Sequence, residues 1–224
     1  MACLHKFFDY LELQKGYLNS EVDHLDFKPT TLIVGTFNPS WPTNNKAEWF
    51  YGRTHDENGN QNNNFWDVLP RIYGNRSLIE NSFKEWKKFC CYNKIALTDF
   101  IYSIEDAEIE NAEHEKYLKT YSDRNISTKF KNHKILNVVK LLQQNSSIKN
   151  IYFTRGANEI FWRKLWEPVS KYAKQNDLHH QTLITPSGYA FYQQARYNNQ
   201  NFSNQIKKLS DFILFKWQQR WHKI

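Results

Sequence analysis

Four short runs of apolar and β-branched residues recur along this chain, each cut off by a turn former. They are TLIVGTF (Thr31–Phe37), KIALTDF (Lys94–Phe100), KNIYFTR (Lys149–Arg155) and HQTLIT (His180–Thr185). Near-continuous apolar runs are the mark of strands buried on both faces. Helical spacing fills the gaps between them. NNFWDVLPRIYG offers Asn63 or Asn64 as an N-cap, and Pro70 limits its length. SLIENSFKEWKKFCCY and KILNVVKLLQQ follow the same period, GANEIFWRKLWEPVSKYAKQ comes straight after the third run, and NFSNQIKKLSDFILFKWQQRW closes the chain. Strand and helix in alternation predict an α/β fold: a three-layer sandwich with a short, mainly parallel central sheet of about four strands and helices on both faces.

With 224 residues and neither repeat nor long linker, one domain over residues 1–224 is expected. The opening MACLHKFFDYLELQKG has Asp9 and Glu12 inside its apolar pattern, which predicts an amphipathic helix rather than a leader, and residues 1–29 are read as a helical extension. No apolar run approaches the roughly 20 residues of a membrane span. Cys3, Cys90 and Cys91 are too few for a four-cysteine zinc site or an iron–sulfur cluster and fit a reducing cytoplasm. Neither a metal nor a cofactor is called for. The net charge of +7 suits a polyanionic partner, and aromatics at 17% leave rings to spare for stacking on flat ligands. One stretch runs against that charge: six acids stand between Glu105 and Glu115, a solvated helix or loop expected to lie away from any DNA path.

In parallel α/β sheets, ligands bind beyond the carboxyl ends of the strands. Here those ends carry polar residues. The first turn supplies Gly35, Asn38, Pro39 and Ser40; the second strand ends at Asp99; the third ends in TRGAN, with Arg155; the fourth runs into TPSGYAF, Thr185–Phe191. In this order the set resembles the uracil-DNA glycosylase superfamily. LIVGTFNPS resembles its first motif, an apolar strand followed by Gly, an Asp or Asn, and Pro. WFYGR and NNNFW are similar to features of the mismatch-specific branch, KIALTDF and IYFTRGANEIF to the hypoxanthine-type branch, and TPSGY to the last motif. The likeness runs from about residue 30 to residue 192, with three departures. Two residues separate Gly35 from Asn38 where the mismatch branch has one, Thr185 stands where the family has His or Asn, and the Asn-rich loop between Arg53 and Asn63 is longer than in the mismatch enzymes.

The resemblance implies a monofunctional enzyme that hydrolyses the N-glycosidic bond of a flipped-out base and leaves an abasic site. DNA, single- or double-stranded, is the implied partner, and a monomer is expected. Asn38 and Thr185 take the catalytic positions. An Asn38 carbonyl can orient a water but is a poor proton acceptor. Gly35, Thr36, Phe37, Ser40 and Arg155 line the substrate, and Tyr51, with Phe50 as the alternative, stacks on the base for roughly 1–3 kcal/mol. Pro186, Ser187 and Gly188 bring hydroxyl and N–H groups to phosphates, and Tyr189 occupies the wedge position. Asp99 falls where the uracil-specific branch has its base-reading Asn. An ionised carboxylate only accepts hydrogen bonds, so it favours an exocyclic amino group over a carbonyl, unless it merely caps a helix. Ser40, where uracil enzymes have Tyr, leaves room for a C5 substituent. A C5-modified cytosine, an alkylated base or a deaminated purine fits, in repair or in defence against modified phage DNA. A catalytically inactive nucleic-acid-binding module is the alternative; a nucleotide-binding enzyme lacks its glycine fingerprints, and His179-His180 lacks metal-ligand spacing.

Overall fold

The computed structural model describes residues 2–7, 27–41 and 45–222. Its centre is a four-stranded, wholly parallel sheet built from β2 (Thr31–Gly35), β3 (Ile95–Asp99), β6 (Asn150–Phe153) and β7 (His179–Thr182), in the order β3-β2-β6-β7. Register pairs Gly35 with Asp99, Val34 with Phe153, and Phe153 with Thr182, so the four carboxyl ends are nearly level. All four runs read from the sequence are strands, each a little shorter than the run. The β7 strand begins one residue earlier and stops before Leu183.

The pleat sorts the core into two faces. Leu32, Val34, Ala96, Ile151 and Phe153 pack in one cluster with Trp162, Trp166, Val169 and Ala173 of α6 (Ile160–Gln175) and Leu141 and Leu142 of α5 (Val138–Gln144). The alternate residues Ile33, Ile95, Leu97 and Tyr152 pack in a second cluster with α1 (Phe65–Ile72), α2 (Phe83–Tyr92) and α8 (Leu209–Gln218). Side chains one residue apart point to opposite sides of a strand, so a sheet covered twice favours consecutive apolar residues, as Leu32–Val34 and Ile151–Phe153 supply. Ser82 and Glu85 close a capping box on α2. Pro70 lies within α1, which ends two residues later.

A second sheet, antiparallel, is absent from the sequence reading. It joins β1 (Cys3–Leu4), β4 (Ile101–Ile104) and β5 (His133–Ile135) in the order β1-β4-β5. The β3 strand passes into β4 across Phe100, so the chain switches sheets immediately after Asp99. Two expectations change here. Cys3–Leu4 is a strand paired with Ser103 and Ile104 rather than the opening of a helix, and the rest of the expected extension, residues 8–26, lies outside the described residues. Lys134 and Ile135 are strand, and α5 begins only at Val138. The acidic stretch forms α3 (Ala112–Lys119) and leads into α4 (Asp123–Lys129), and a further helix, α7 (Ala190–Gln200), follows the last motif.

Candidate active site at the strand ends

Strand parity divides the polar residues at the sheet edge into two groups. Gly35, Asp99 and Thr154 continue the face of Ile33, Leu97 and Tyr152, whereas Thr36 and Arg155 continue the other.

On the first face, Asp99 is 6% exposed and its Oδ2 accepts from His5 Nε2 at 2.7 Å. The N–H of Phe7 donates to His5 Nδ1 at 3.0 Å, so the ring proton sits on Nε2 and points at the carboxylate. Phe7, Phe37 and Phe50 surround the imidazole with centroids 5.6–5.9 Å away. No helix follows Asp99, which removes helix capping as its role. The other oxygen, Oδ1, lies against Gly35. A Cβ on Gly35 would fall well under 3.0 Å from Oδ1 and 2.8 Å from the Tyr51 hydroxyl. Gly35 is therefore set by the close approach of two polar side chains, which explains why an apolar strand ends in glycine.

Tyr51 is half-buried with φ +57°, a strained conformation for a residue with a side chain. Its neighbours hold it there: Trp66 Nε1 donates to Phe50 O at 3.0 Å, Gly52 N donates to Trp49 O at 2.9 Å, and the phenol ring stacks on Phe65 at 3.7 Å and 2°. The Tyr51 hydroxyl lies 2.9 Å from Thr154 Oγ1, which also lies 3.3 Å from Val34 O. Either hydroxyl can supply the proton of the Tyr51–Thr154 bond, which ties Tyr51 to the end of β6. Burial, then the charge of Asp99, push the phenol's pKa well above its usual 10.

The GTFNPS turn is braced by β1. Lys6 N donates to Asn38 O at 2.7 Å, Ser40 N donates to Leu4 O at 2.9 Å, and His5 bridges to Pro39. Asn38 Oδ1 accepts from Asn45 Nδ2 at 2.6 Å. Ser40 is exposed. Phe50, 1% exposed among Phe7, Trp49 and His5, is core and has no face for a base, which leaves Tyr51 of that pair.

On the second face Thr36 Oγ1 donates to Asp123 Oδ1 at 2.6 Å, and Arg155 Nη1 pairs with Asp123 Oδ2 at 2.6 Å. Arg155 Nη2 pairs with Glu159, and the guanidinium lies 4.8 Å over the Trp162 ring. Burial raises the Asp123 carboxyl's pKa against the pull of Arg155 and Thr36. Arg155 therefore arrives with both terminal nitrogens bound to carboxylates, a tie between segments rather than a free cation. Asp123 opens α4, beyond the six acids of Glu105–Glu115, which are exposed or half-buried as expected, and brings one carboxylate to the strand ends.

The last motif is clamped to the Asn-rich loop. Pro186 O accepts from both the backbone N–H (2.7 Å) and the side-chain amide (3.0 Å) of Asn64, and Gly188 N donates to Asn62 O at 3.2 Å. Thr185 Oγ1 accepts from Ser187 N at 3.3 Å and lies 2.9 Å from Ser187 Oγ. The N–H groups of Ser187 and Gly188, expected at phosphates, are thus engaged within the fold. Tyr189 is 62% exposed at the start of α7, beside exposed Phe191 and Tyr192. Asn64, Phe65 and Tyr51 form a continuous bridge from this loop to Gly35 and Asp99.

His5, Asn45, Asp123 and Thr154 escape the sequence reading. His5 sits in a segment with helical patterning, and Asp123 in one whose charge suggested solvent. Thr154 was visible in TRGAN beside the more conspicuous Arg155. Among the described residues no cluster of three or more His, Cys, Asp or Glu could hold a metal, and no helix is long and apolar enough to cross a membrane.

No family pattern matches the chain, and no curated protein does. Among solved structures, the solution NMR structure of a protein from Methanosarcina acetivorans, named as a candidate uracil DNA glycosylase, aligns over 88% of this chain and 94% of its own, with 17% identity and a TM-score of 0.49. A likeness at that level assigns neither family nor activity.

Proposed function

We propose that the chain is a monofunctional DNA glycosylase of the uracil-DNA glycosylase kind, acting as a cytoplasmic monomer on a damaged or modified base. One observation supports this: Gly35, Asp99, Tyr51, Phe65, Asn64 and Pro186, drawn from motifs far apart in sequence, form one chain of contacts at the edge of the sheet. Parallel α/β proteins keep their ligands at such an edge.

Glycosidic cleavage builds positive charge on the sugar and negative charge on the departing base. In this proposal Asn38 presents its carbonyl to a water beneath the anomeric carbon. Asn45 fixes that carbonyl by donating to one side of Oδ1, and the second lone pair remains for the water. Assistance is positional rather than basic, because an amide cannot take up the proton. Tyr51, backed by Phe65, offers its other face to the base, and Tyr189 fills the gap left in the stack. Thr185 acts through the loop it shapes, and exposed Ser40 leaves space at C5. Release of a hypermodified cytosine would make the protein a defence against phage DNA, and release of a damaged base a repair enzyme.

The test is a glycosylase screen on DNAs that differ in base modification, read by alkali-labile sites and mass spectrometry of released bases. The wild type should generate abasic sites, and Asn38→Ala should abolish them while DNA binding persists. A binding-only module is the second reading, and the engaged N–H groups of the last motif weigh against phosphate contacts at that loop in either reading. DNA binding with no base released from any substrate would establish it instead.

A further inference from the structure

No acidic residue stands between Asp177 and Asp211. The middle of this acid-free stretch is α7, the helix that follows the last motif. Ala190 and Gln194 are buried and Tyr197 and Asn198 half-buried, so this side of the helix faces the body of the protein. Its polar groups are spent there. Gln194 Nε2 donates to Ile206 O at 2.8 Å and to Lys207 O at 3.0 Å, and Asn198 exchanges two hydrogen bonds of 3.0 Å with the backbone of Ile206. The Tyr197 ring lies 5.6 Å from those of Phe212 and Phe215. With 3.6 residues to a turn, the opposite side carries Tyr192, Gln193, Arg196, Asn199 and Gln200. All five are exposed, Tyr192 at 73%, and their side chains make no hydrogen bond or ion pair among the described residues. Phe191, also exposed, lies beside Tyr192 with ring centroids 6.3 Å apart.

We propose that this outer face of α7 is a platform for single-stranded nucleic acid, on which nucleotides flanking the strand-end site lie unpaired. The inference rests on the glycosylase proposal for what sits at the strand ends and deepens it by naming the form of the nucleic acid. Each part of the face has a use on a single strand. Tyr192 and Phe191 offer rings on which unpaired bases stack, whatever their identity. Arg196, one turn beyond Tyr192, pairs with a phosphate. Gln193, Asn199 and Gln200 carry both donors and acceptors, which suit the mixed edges of unpaired bases. A duplex keeps its bases paired and stacked, so it would engage the arginine and leave the rings idle. A second copy of this chain would set one positive face against another, and an apolar protein groove would leave the amides and the guanidinium without partners.

The platform is continuous with the candidate site. The α7 helix begins where the last motif ends, and Tyr189, at the wedge position, stands between the outer face and the loop that Asn62 and Asn64 hold. A strand leaving the site is thereby led onto α7. The face also supplies what the strand ends lack. There the N–H groups of Ser187 and Gly188 are engaged within the fold, and Arg155 is bound to two carboxylates. Arg196 is paired with none. Lys207 and Lys208 are exposed on the segment that Gln194 and Asn198 bind, which keeps the surroundings of the helix positive.

The experiment titrates the full chain, by fluorescence anisotropy, into a labelled oligothymidylate, an oligouridylate and a blunt DNA duplex of the same length, none carrying a modified base. The wild type should bind at least one single strand about tenfold or more tightly than the duplex, and the tighter of the two tells whether the face suits DNA or RNA. Tyr192→Ala should weaken that binding about tenfold, the worth of one stacked base, and Tyr192→Phe should keep it. Arg196→Gln should lower the slope of log Kd against log salt by about 0.7, the share of one phosphate on a single strand. Tyr92→Ala is the control, an equally exposed tyrosine at the end of α2, and should change nothing. These side chains are exposed, so melting curves should match the wild type's and a loss of binding reports the face itself. Duplex bound as tightly as either single strand, an unchanged Kd in Tyr192→Ala, or an equal loss in Tyr92→Ala would overturn the inference. A dimer in sedimentation that Tyr192→Ala dissolves would assign the face to a second copy and overturn it too. Each of those results leaves the glycosylase proposal standing. Release of no base from any DNA removes that proposal, while the preference for single strands and its loss in Tyr192→Ala would still establish the platform.

Discussion

Replacing Gly35 with Ala puts a methyl group into space that the Asp99 carboxylate and the Tyr51 hydroxyl already occupy. The new Cβ would stand at 2.8 Å from Tyr51 Oη and 3.2 Å from Asp99 Cγ, and nearer still to Asp99 Oδ1. Gly35 is the last residue of a central strand paired on both sides, so the backbone has little room to yield. Overpacking of this kind costs about 1–3 kcal/mol. If the carboxylate swings away, its hydrogen bond with His5 is lost too, a charge-assisted contact worth roughly 1.5–3 kcal/mol. A working figure of about 3 kcal/mol lowers the melting temperature of a domain this size by roughly 6–12 °C. Gly156→Ala is the control, because its Cβ would meet only Asn158 Nδ2 at 3.9 Å; its cost should stay within about 0.5 kcal/mol. Thermal melts of the two variants beside the wild type make the measurement. A Gly35→Ala protein melting within about a degree of the wild type would mean that the carboxylate is not seated against this glycine, and the wiring at the strand ends would have to be redrawn.

Other substitutions and conditions probe the remaining parts. Asn45→Ala frees the Asn38 carbonyl and should lower kcat about tenfold with little change in KM, the worth of one hydrogen bond in the reacting geometry; an unchanged kcat in single-turnover assays would leave Asn38 without a need for its partner. Burial pushes Tyr73 and Tyr121 up to about 12 and raises Tyr51 and Tyr152 as well. Unfolded tyrosines ionise near 10, so above that pH the unfolded chain holds fewer protons than the native one. Stability should be fully present below pH 10 and fall as pH rises toward 12, visible in urea midpoints; midpoints that stay level from pH 8 to 11 would contradict the burial of these rings. Tyr189→Ala, at an exposed position, should leave stability within about 0.5 kcal/mol and reduce activity on duplex more than on single strands, whereas equal losses would exclude a wedge.

The layered sheet was legible because β2, β3 and β6 are buried along their whole length, which favours near-continuous apolar runs such as LIV or IYF, whereas β7 at the edge is half-buried and reads His-His-Gln-Thr. The small antiparallel sheet was not, because Cys3–Leu4 and His133–Ile135 are too short to show a period. Pairing with β4 decides their conformation, overriding the helical spacing around them. At the site, Gly35, Asn38, Asp99 and Tyr51 could be picked out because they stand next to recognisable strand ends. His5 could not: nothing in its own sequence neighbourhood marks it, and only the pairing of β1 with β4 carries it to Asp99. Asp123 shows the opposite failure. The acids of Glu105–Glu115 stay exposed or half-buried, yet Asp123 on the helix that follows turns its carboxylate inward to meet Thr36 and Arg155. Phe50 and Tyr51 are adjacent and chemically alike, and the turn at Tyr51 alone decides which becomes core.

The central claim is that the loops after β2 and β7, with the end of β3, grip one nucleotide together. Amide chemical-shift mapping of the labelled protein, titrated with a duplex carrying a stable abasic-site analogue, tests it directly. Shifts should appear together at Gly35–Ser40, Asp99, Tyr51 and Ser187–Tyr189 and saturate with one common Kd. Shifts restricted to one of these segments, or centred elsewhere on the surface, would contradict it.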